Sequence, residues 1–177
     1  MGGPVTRQNI EQFAEALSAR FAAPADVFLI GGAALLLVGG SRATQDIDIV
    51  DSDAPPGDDP WRVALSRTIA DVRLDVEAVP FDAFVPLLKG AEGRHRLIGT
   101  FGKVRLWVFD PLSIALSKLD RGFETDLEDI EFLLGQGIIT RRQLLDAIEE
   151  AAPSARAFDL DITQMRQRLD GLPPARE

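Results

Sequence analysis

Two hydrophobic periods take turns along this chain, and the switches between them predict its elements. Ile10, Phe13, Ala14, Leu17 and Phe21 recur at helical spacing, predicting a helix capped by Thr6 and ended by Pro24. An apolar run at 27–30 predicts a buried strand; after the diglycine Gly31-Gly32, residues 33–38 are apolar almost all round and predict a short buried helix. In 46–50, DIDIV, alternation turns Ile47 and Ile49 to a core and leaves Asp46 and Asp48 side by side on the other face. The stretch DSDAPPGDDP is loop by composition. Helical spacing returns at 61–72, and alternation at 73–79, with Leu74, Val76 and Ala78 opposite Asp75 and Glu77. A short helix over 81–88, a loop at 90–93 and paired strands over 96–101 and 104–109 around Gly102-Lys103 follow.

Beyond the hairpin the pattern is helical. Asp110-Pro111 places an N-cap and a proline at the start of a helix over 112–119. Thr125 with Glu128, and Thr140 with Gln143, read as capping boxes for helices reaching Leu134 and Ala151. A last helix is expected over 161–169, with GLPPARE fraying after it. The element order predicts an α/β (α+β) fold: a mixed sheet flanked by helices, with a helical C-terminal part. The chain reads as one domain over 1–177, with a core of 1–110 and a helical part of 111–177.

Composition narrows the function. The chain has no cysteine, which excludes a disulfide framework and a thiolate metal site. No basic n-region precedes an apolar core at the N-terminus, and the run at 27–38 is too short to span a bilayer, so a cytoplasmic protein without membrane contact is expected. A net charge of −9 argues against broad, charge-driven nucleic-acid binding. It leaves room for a local basic groove, and Arg94, Arg96, Lys103 and Arg105 lie close together in sequence.

The chemistry concentrates in 27–50. Adjacent carboxylates repel unless a cation neutralises them, and such oxygen ligands suit hard divalent ions such as magnesium. A glycine pair after a strand lets backbone N–H groups approach a phosphate, although on its own it is more often just a tight turn. Neither GxGxxG nor GxxxxGK[ST] is present, which disfavours a dinucleotide-binding fold and a P-loop. Together, the glycine turn, the DxD strand and a third carboxylate from Asp75 or Glu77 match metal-dependent nucleotidyl transfer. There, two cations about 3.5–4 Å apart clamp the attacking and leaving oxygens. The third carboxylate would hold a metal or take the acceptor proton.

Other charged residues have plainer readings beside the functional ones. Lys118, in an otherwise apolar helix of a lysine-poor chain, either snorkels to solvent or serves the site. Arg42 either pairs with Asp46 or touches phosphate, and Arg121 suits the C-terminus of its helix. His95 is expected at a solvated strand edge, and the acids of 126–131 mainly on a solvated helix face.

The stretch GGAALLLVGGSRATQDIDIV resembles the signature of the polymerase-β-like nucleotidyltransferase superfamily, a GG turn followed by DxD. With Arg42-x-Thr44-x-Asp46-x-Asp48, and with 116–121 (LSKLDR) followed by 126–129 (DLED), it is similar to the branch holding AbiEii and MenT-type abortive-infection toxins and related uncharacterised bacterial families. The resemblance implies that Gly31 and Gly32 form the triphosphate turn, joined in nucleotide binding by Ser41, Arg42, Thr44 and Arg121. It makes Asp46 and Asp48 ligands of Mg2+ or Mn2+, Lys118 a triphosphate contact, and Asp126 or Asp129 the later acidic position. Asp75 is favoured as the third carboxylate and as a third ligand of the metal, with Glu77 as its substitute. The implied activity moves a nucleoside monophosphate from a triphosphate such as ATP to an acceptor hydroxyl: an RNA 3′ end such as that of tRNA, a protein, or a small molecule. A toxin role with a cognate antitoxin partner extends the likeness. A reading from a second class is a catalytically inactive binding module on the same fold.

Overall fold

The computed structural model describes residues 3–50 and 59–174. Most of the loop expected after residue 50, and the last three residues of the C-terminal stretch, lie outside them. The chain divides into two compact units, Met1–Pro80 with Arg96–Phe109, and Phe81–His95 with Asp110–Glu177.

The first unit is built on a five-stranded sheet of β1 (Ala25–Ile30), β2 (Asp46–Val50), β3 (Asp75–Val79), β4 (Arg96–Phe101) and β5 (Val104–Val108), in the order β3-β2-β1-β5-β4. It is mixed: β1 runs antiparallel to β2 and parallel to β5, β2 runs parallel to β3, and β4–β5 is the expected hairpin. Alternation decides the faces. Leu29, Ile47, Val104 and Leu106 are fully buried, and Val27, Ile49 and Val76 nearly so. Against the sheet lies α1 (Arg7–Arg20), which buries Ile10, Phe13, Ala14 and Leu17, each burial contributing up to roughly 1.5–3 kcal/mol for the large side chains. Thr6 caps it as expected, in a capping box with Asn9 at the third position. The short helix α2 (Gly31–Leu37) begins directly at the diglycine, two residues earlier than its apolar run suggested. In α3 (Pro60–Val72) the helix ends at Arg73, whose left-handed φ of 53° delays β3 to Asp75.

The second unit is helical, with α4 (Ala91–Arg94), α5 (Pro111–Arg121), α6 (Glu124–Gly135), α7 (Arg141–Ala151), α8 (Ala155–Phe158) and α9 (Ile162–Gly171). Buried along most of its length, α5 packs against α6, α7 and α9. Asp110 caps it and is itself fully buried, accepting from Leu112 N (3.0 Å), Ser113 Oγ (2.7 Å) and both ends of the Arg94 guanidinium (2.8 and 2.7 Å). The Thr140–Gln143 capping box forms as expected.

Several expectations fail for local reasons. Instead of a helix over 81–88 there is a single 3-10 turn, Phe81–Ala83, because Pro86 disfavours helical backbone at Val85 and cannot donate to a helical ladder. Gly90, at φ +72°, starts a helical turn where a loop was expected. Thr125 does not cap α6: the cap falls two residues earlier, at Phe123, without a side-chain hydrogen bond. The C-terminal stretch is tied down at its start rather than frayed: Leu172 is buried, and Arg141 donates to the carbonyls of Leu169, Leu172 and Pro173.

Candidate active site

Within the first unit, β2 brings two carboxylates to one half-buried face. Asp46 and Asp48 alternate with the buried Ile47 and Ile49, so both project from the sheet side away from that core. Across β1, Asp48 stands opposite Ile30, the residue before the diglycine.

The diglycine fits against this pair so closely that side chains are excluded. A Cβ on Gly31 would run into the Asp48 carboxylate, and Gly31 has a φ of +63°. A Cβ on Gly32 would lie 2.6 Å from Thr44 Oγ1. Thr44 is buried, and its hydroxyl donates to Asp46 Oδ1 at 3.0 Å. The chain leading into β2 is itself held: Val5 N–H donates to the Thr44 carbonyl at 2.8 Å, Arg7 to the Leu37 carbonyl at 3.0 Å, and Gly40 N–H to the Leu35 carbonyl at 2.8 Å. Gly31, Gly32, Thr44, Asp46 and Asp48 therefore lie together in one close-packed constellation. Ser41 and Arg42 lie exposed on the same lead-in segment.

Gly31→Ala is expected to lower stability by about 1–2 kcal/mol from the left-handed backbone alone, and by more because Asp48 must move. Gly137→Ala is the control, since Gly137 has a φ of +65° but nothing near its absent Cβ. Thermal melts should show the larger loss for Gly31→Ala; equal losses would mean the Asp48 contact is unimportant.

Register sets Asp75 beside Asp46 and Glu77 beside Asp48 on the parallel β2–β3 ladder, both exposed. Among the described residues no three His, Cys, Asp or Glu side chains are gathered tightly enough to hold a metal ion by themselves. What the protein offers is a pair of carboxylates with two further acids alongside.

The remaining candidates belong to the second unit, where they form a cluster of their own. Lys118 is 4% exposed and donates to Asp126 Oδ1 at 3.1 Å and Asp129 Oδ2 at 2.7 Å. Arg121 reaches Asp126 Oδ1 at 2.6 Å from a largely exposed position. The snorkelling reading of Lys118 therefore fails, and so does the solvated reading of Asp126 and Asp129; Glu128 and Glu131 keep it. Spacing carried the signal: 126, 129, 130 and 133 form one helical stripe with the buried Ile130 and Leu133.

Of the four cations in the basic stretch, Arg96 and Lys103 are exposed, while the other two are paired. Arg94 is bound to Asp110, and Arg105 to Asp26 through two 2.7 Å bonds. The Arg105 hydrogen bonds hold the Asp26 carboxyl below its usual range. His95 is half-buried rather than solvated, and burial pushes its imidazole below the ordinary histidine range. Sequence reasoning also passed over Trp107, whose indole N–H donates to Asp26 at 2.7 Å and whose ring stacks on Phe28, centroids 6.2 Å apart. The pairing depends on β1 and β5 lying side by side, which residues so far apart in sequence do not announce.

Among the described residues no helix is long and apolar enough to cross a membrane. No curated protein and no solved structure matches the chain. A family model does: residues 8–140, which include the diglycine, the carboxylate strand and the Lys118 cluster, match the family described as nucleotidyltransferase of unknown function (DUF6036), and the chain belongs to that family.

Proposed function

We propose that the protein transfers a nucleoside monophosphate from a nucleoside triphosphate to an acceptor hydroxyl, using the first unit's carboxylate face. The observation that carries the reading is the fixed pair itself. Asp48 lies against Gly31, Asp46 is held by the Thr44 hydroxyl, and the absence of Cβ atoms on the diglycine is what lets both side chains pack this close to the backbone turn.

The donor set suits a hard cation. Magnesium is usually bound by one or two carboxylates plus water and substrate phosphates, so a two-acid site without a full protein cage fits it. Mg2+ or Mn2+ held by Asp46 and Asp48 would neutralise phosphate charge as the transition state forms. The chain's own groups do the rest. Asp46 and Asp48 would hold that cation, and Thr44 keeps Asp46 in place. The acceptor oxygen bonds to the α-phosphorus while the bond to the α,β-bridging oxygen breaks, and pyrophosphate leaves with that electron pair. The acceptor proton passes to Asp75, which stands beside Asp46 in register, with Glu77 as its substitute.

The test is to incubate the protein with α-labelled nucleoside triphosphates and a cell lysate, with magnesium or with a chelator. Label should appear in an RNA, protein or small-molecule fraction only when magnesium is present. Label in none of them would overturn the reading.

Thr44→Val is expected to lower turnover roughly tenfold, the effect of losing one hydrogen bond to a charged group. Thr44→Ser should restore it. Steady-state kinetics should place the loss in kcat rather than KM, and an equal rate for Thr44→Val would remove the hydroxyl from the account.

A further inference from the structure

Beside the carboxylate pair, the same sheet face carries an apolar row, two of its three side chains aromatic, that the transfer chemistry does not use. Phe28 lies two residues before Ile30 on β1, so the two share a face, and Ile30 stands opposite Asp48. Phe28 is in register with Trp107 on β5, and Trp107 with Leu97 on β4. The row Phe28–Trp107–Leu97 thus begins roughly 7 Å along the strands from the Asp48 level.

This row is built rather than incidental. Trp107 is pinned by its N–H bond to Asp26, and the Arg105 guanidinium sits 5.6 Å from the indole ring centre. Asp26 also accepts both Arg105 bonds, so one carboxylate locks the indole and the cation together. Phe28 backs the indole at an interplanar angle of 23° and meets Phe109 edge-on at 89°. Burial does not explain such rigidity, because Trp107 and Phe28 are only half-buried, Leu97 is 52% exposed and the Arg105 side chain 53%. A half-exposed, immobilised indole flanked by a guanidinium is suited to stacking a flat heteroaromatic ring.

Its position selects the ring. On the transfer reading, phosphates at Gly31-Gly32 and an acceptor on the β3 side at Asp75 leave the β1 and β5 side of the face for the nucleoside. We propose that Trp107, set by Asp26 and backed by Phe28, stacks the nucleobase of the nucleoside triphosphate and so contributes to its affinity. This rests on the transfer reading above and adds the binding site of the base.

Because the chain has two tryptophans, Trp61→Phe leaves Trp107 as the one fluorophore of its kind. In magnesium buffer, each of the four common ribonucleoside triphosphates should quench that emission, whereas inorganic triphosphate should bind by calorimetry without quenching. Trp107→Ala should weaken nucleoside triphosphate binding about tenfold, the size of one base–aromatic stack, and leave inorganic triphosphate affinity unchanged. Trp107→Phe should recover most of the loss. Retained triphosphate binding shows that the variant is folded; if Trp107→Ala does not fold, the quenching comparison decides alone. Nucleotides that bind without quenching, or that bind Trp107→Ala as tightly as wild type, would overturn the stacking site while leaving the transfer reading standing. If neither nucleotides nor inorganic triphosphate bind, the transfer reading falls and the stacking site with it.

Discussion

Asp46→Asn and Asp48→Asn are each expected to reduce the proposed nucleotide transfer by at least about 100-fold, at Asp46 without loss of fold. The change removes one negative charge and almost no volume. In Asp46→Asn the side-chain amide oxygen takes the place of the carboxylate oxygen that accepts from the Thr44 hydroxyl, so the lead-in to β2 keeps its geometry. What disappears is charge that would hold a cation against the triphosphate, and such stabilisation is worth several kcal/mol in the transition state, roughly 10²–10⁴ in rate. Stability should move the other way or stay put. Without metal, Asp46 and Asp48 sit side by side on one strand face and repel, so neutralising Asp46 leaves the melting temperature unchanged or slightly raised. A residue kept for packing shows the opposite pattern. Transfer assays paired with thermal melts separate the two cases. An Asp46→Asn variant that keeps full activity would end the assignment of this strand to catalysis.

That strand was also the most legible part of the chain, and the reason is geometric. Period-two alternation between apolar and acidic residues puts Asp46 and Asp48 on one face whatever the sheet order, and the buried Ile47 and Ile49 confirm the parity. The hairpin of β4 and β5 and the caps at Thr6, Asp110 and Thr140 were equally readable, because each depends on a few neighbouring residues. Long-range placement was not. That β5 lies against β1, and so brings Trp107 to Phe28 and Arg105 to Asp26, depends on packing between residues about 80 apart in sequence. The local failures have local causes. The apolar residues of 81–88 suggested a helix that Pro86 forbids, and Thr125 offered a capping box that the earlier start of α6 pre-empted. Lys118 shows both sides of this. Its helix was legible, but its partners lie 8 and 11 residues on, on the next helix, where acids are ordinarily solvated.

Lys118→Ala should be the most destabilising single change in the second unit. Lys118, Asp126 and Asp129 are 4%, 2% and 5% exposed, so three charges sit away from water in one cluster. The exposed Arg121 supplies the second positive charge from the rim, which balances two acids with two bases. Deleting Lys118 removes the one buried cation that both aspartates share, and breaking a buried ion cluster in this way costs about 3–5 kcal/mol. For a chain of this size that is roughly 6–20 °C in melting temperature. The cluster is not fully satisfied even intact, since Asp126 Oδ2 is buried without a hydrogen-bond partner. Polar groups left short in this way make an apolar replacement competitive. Combining Lys118→Met with Asp126→Leu and Asp129→Leu should therefore recover most of the stability lost by Lys118→Ala, because well-packed hydrophobic residues often match or exceed a buried ion cluster. The combined variant also isolates the function of the amine. If it melts like wild type and still transfers nucleotide, Lys118 serves the helical unit alone. If it melts like wild type and transfers none, the Lys118 cluster takes part in the reaction itself. A combined variant no more stable than Lys118→Ala would show that these charges are irreplaceable to the fold.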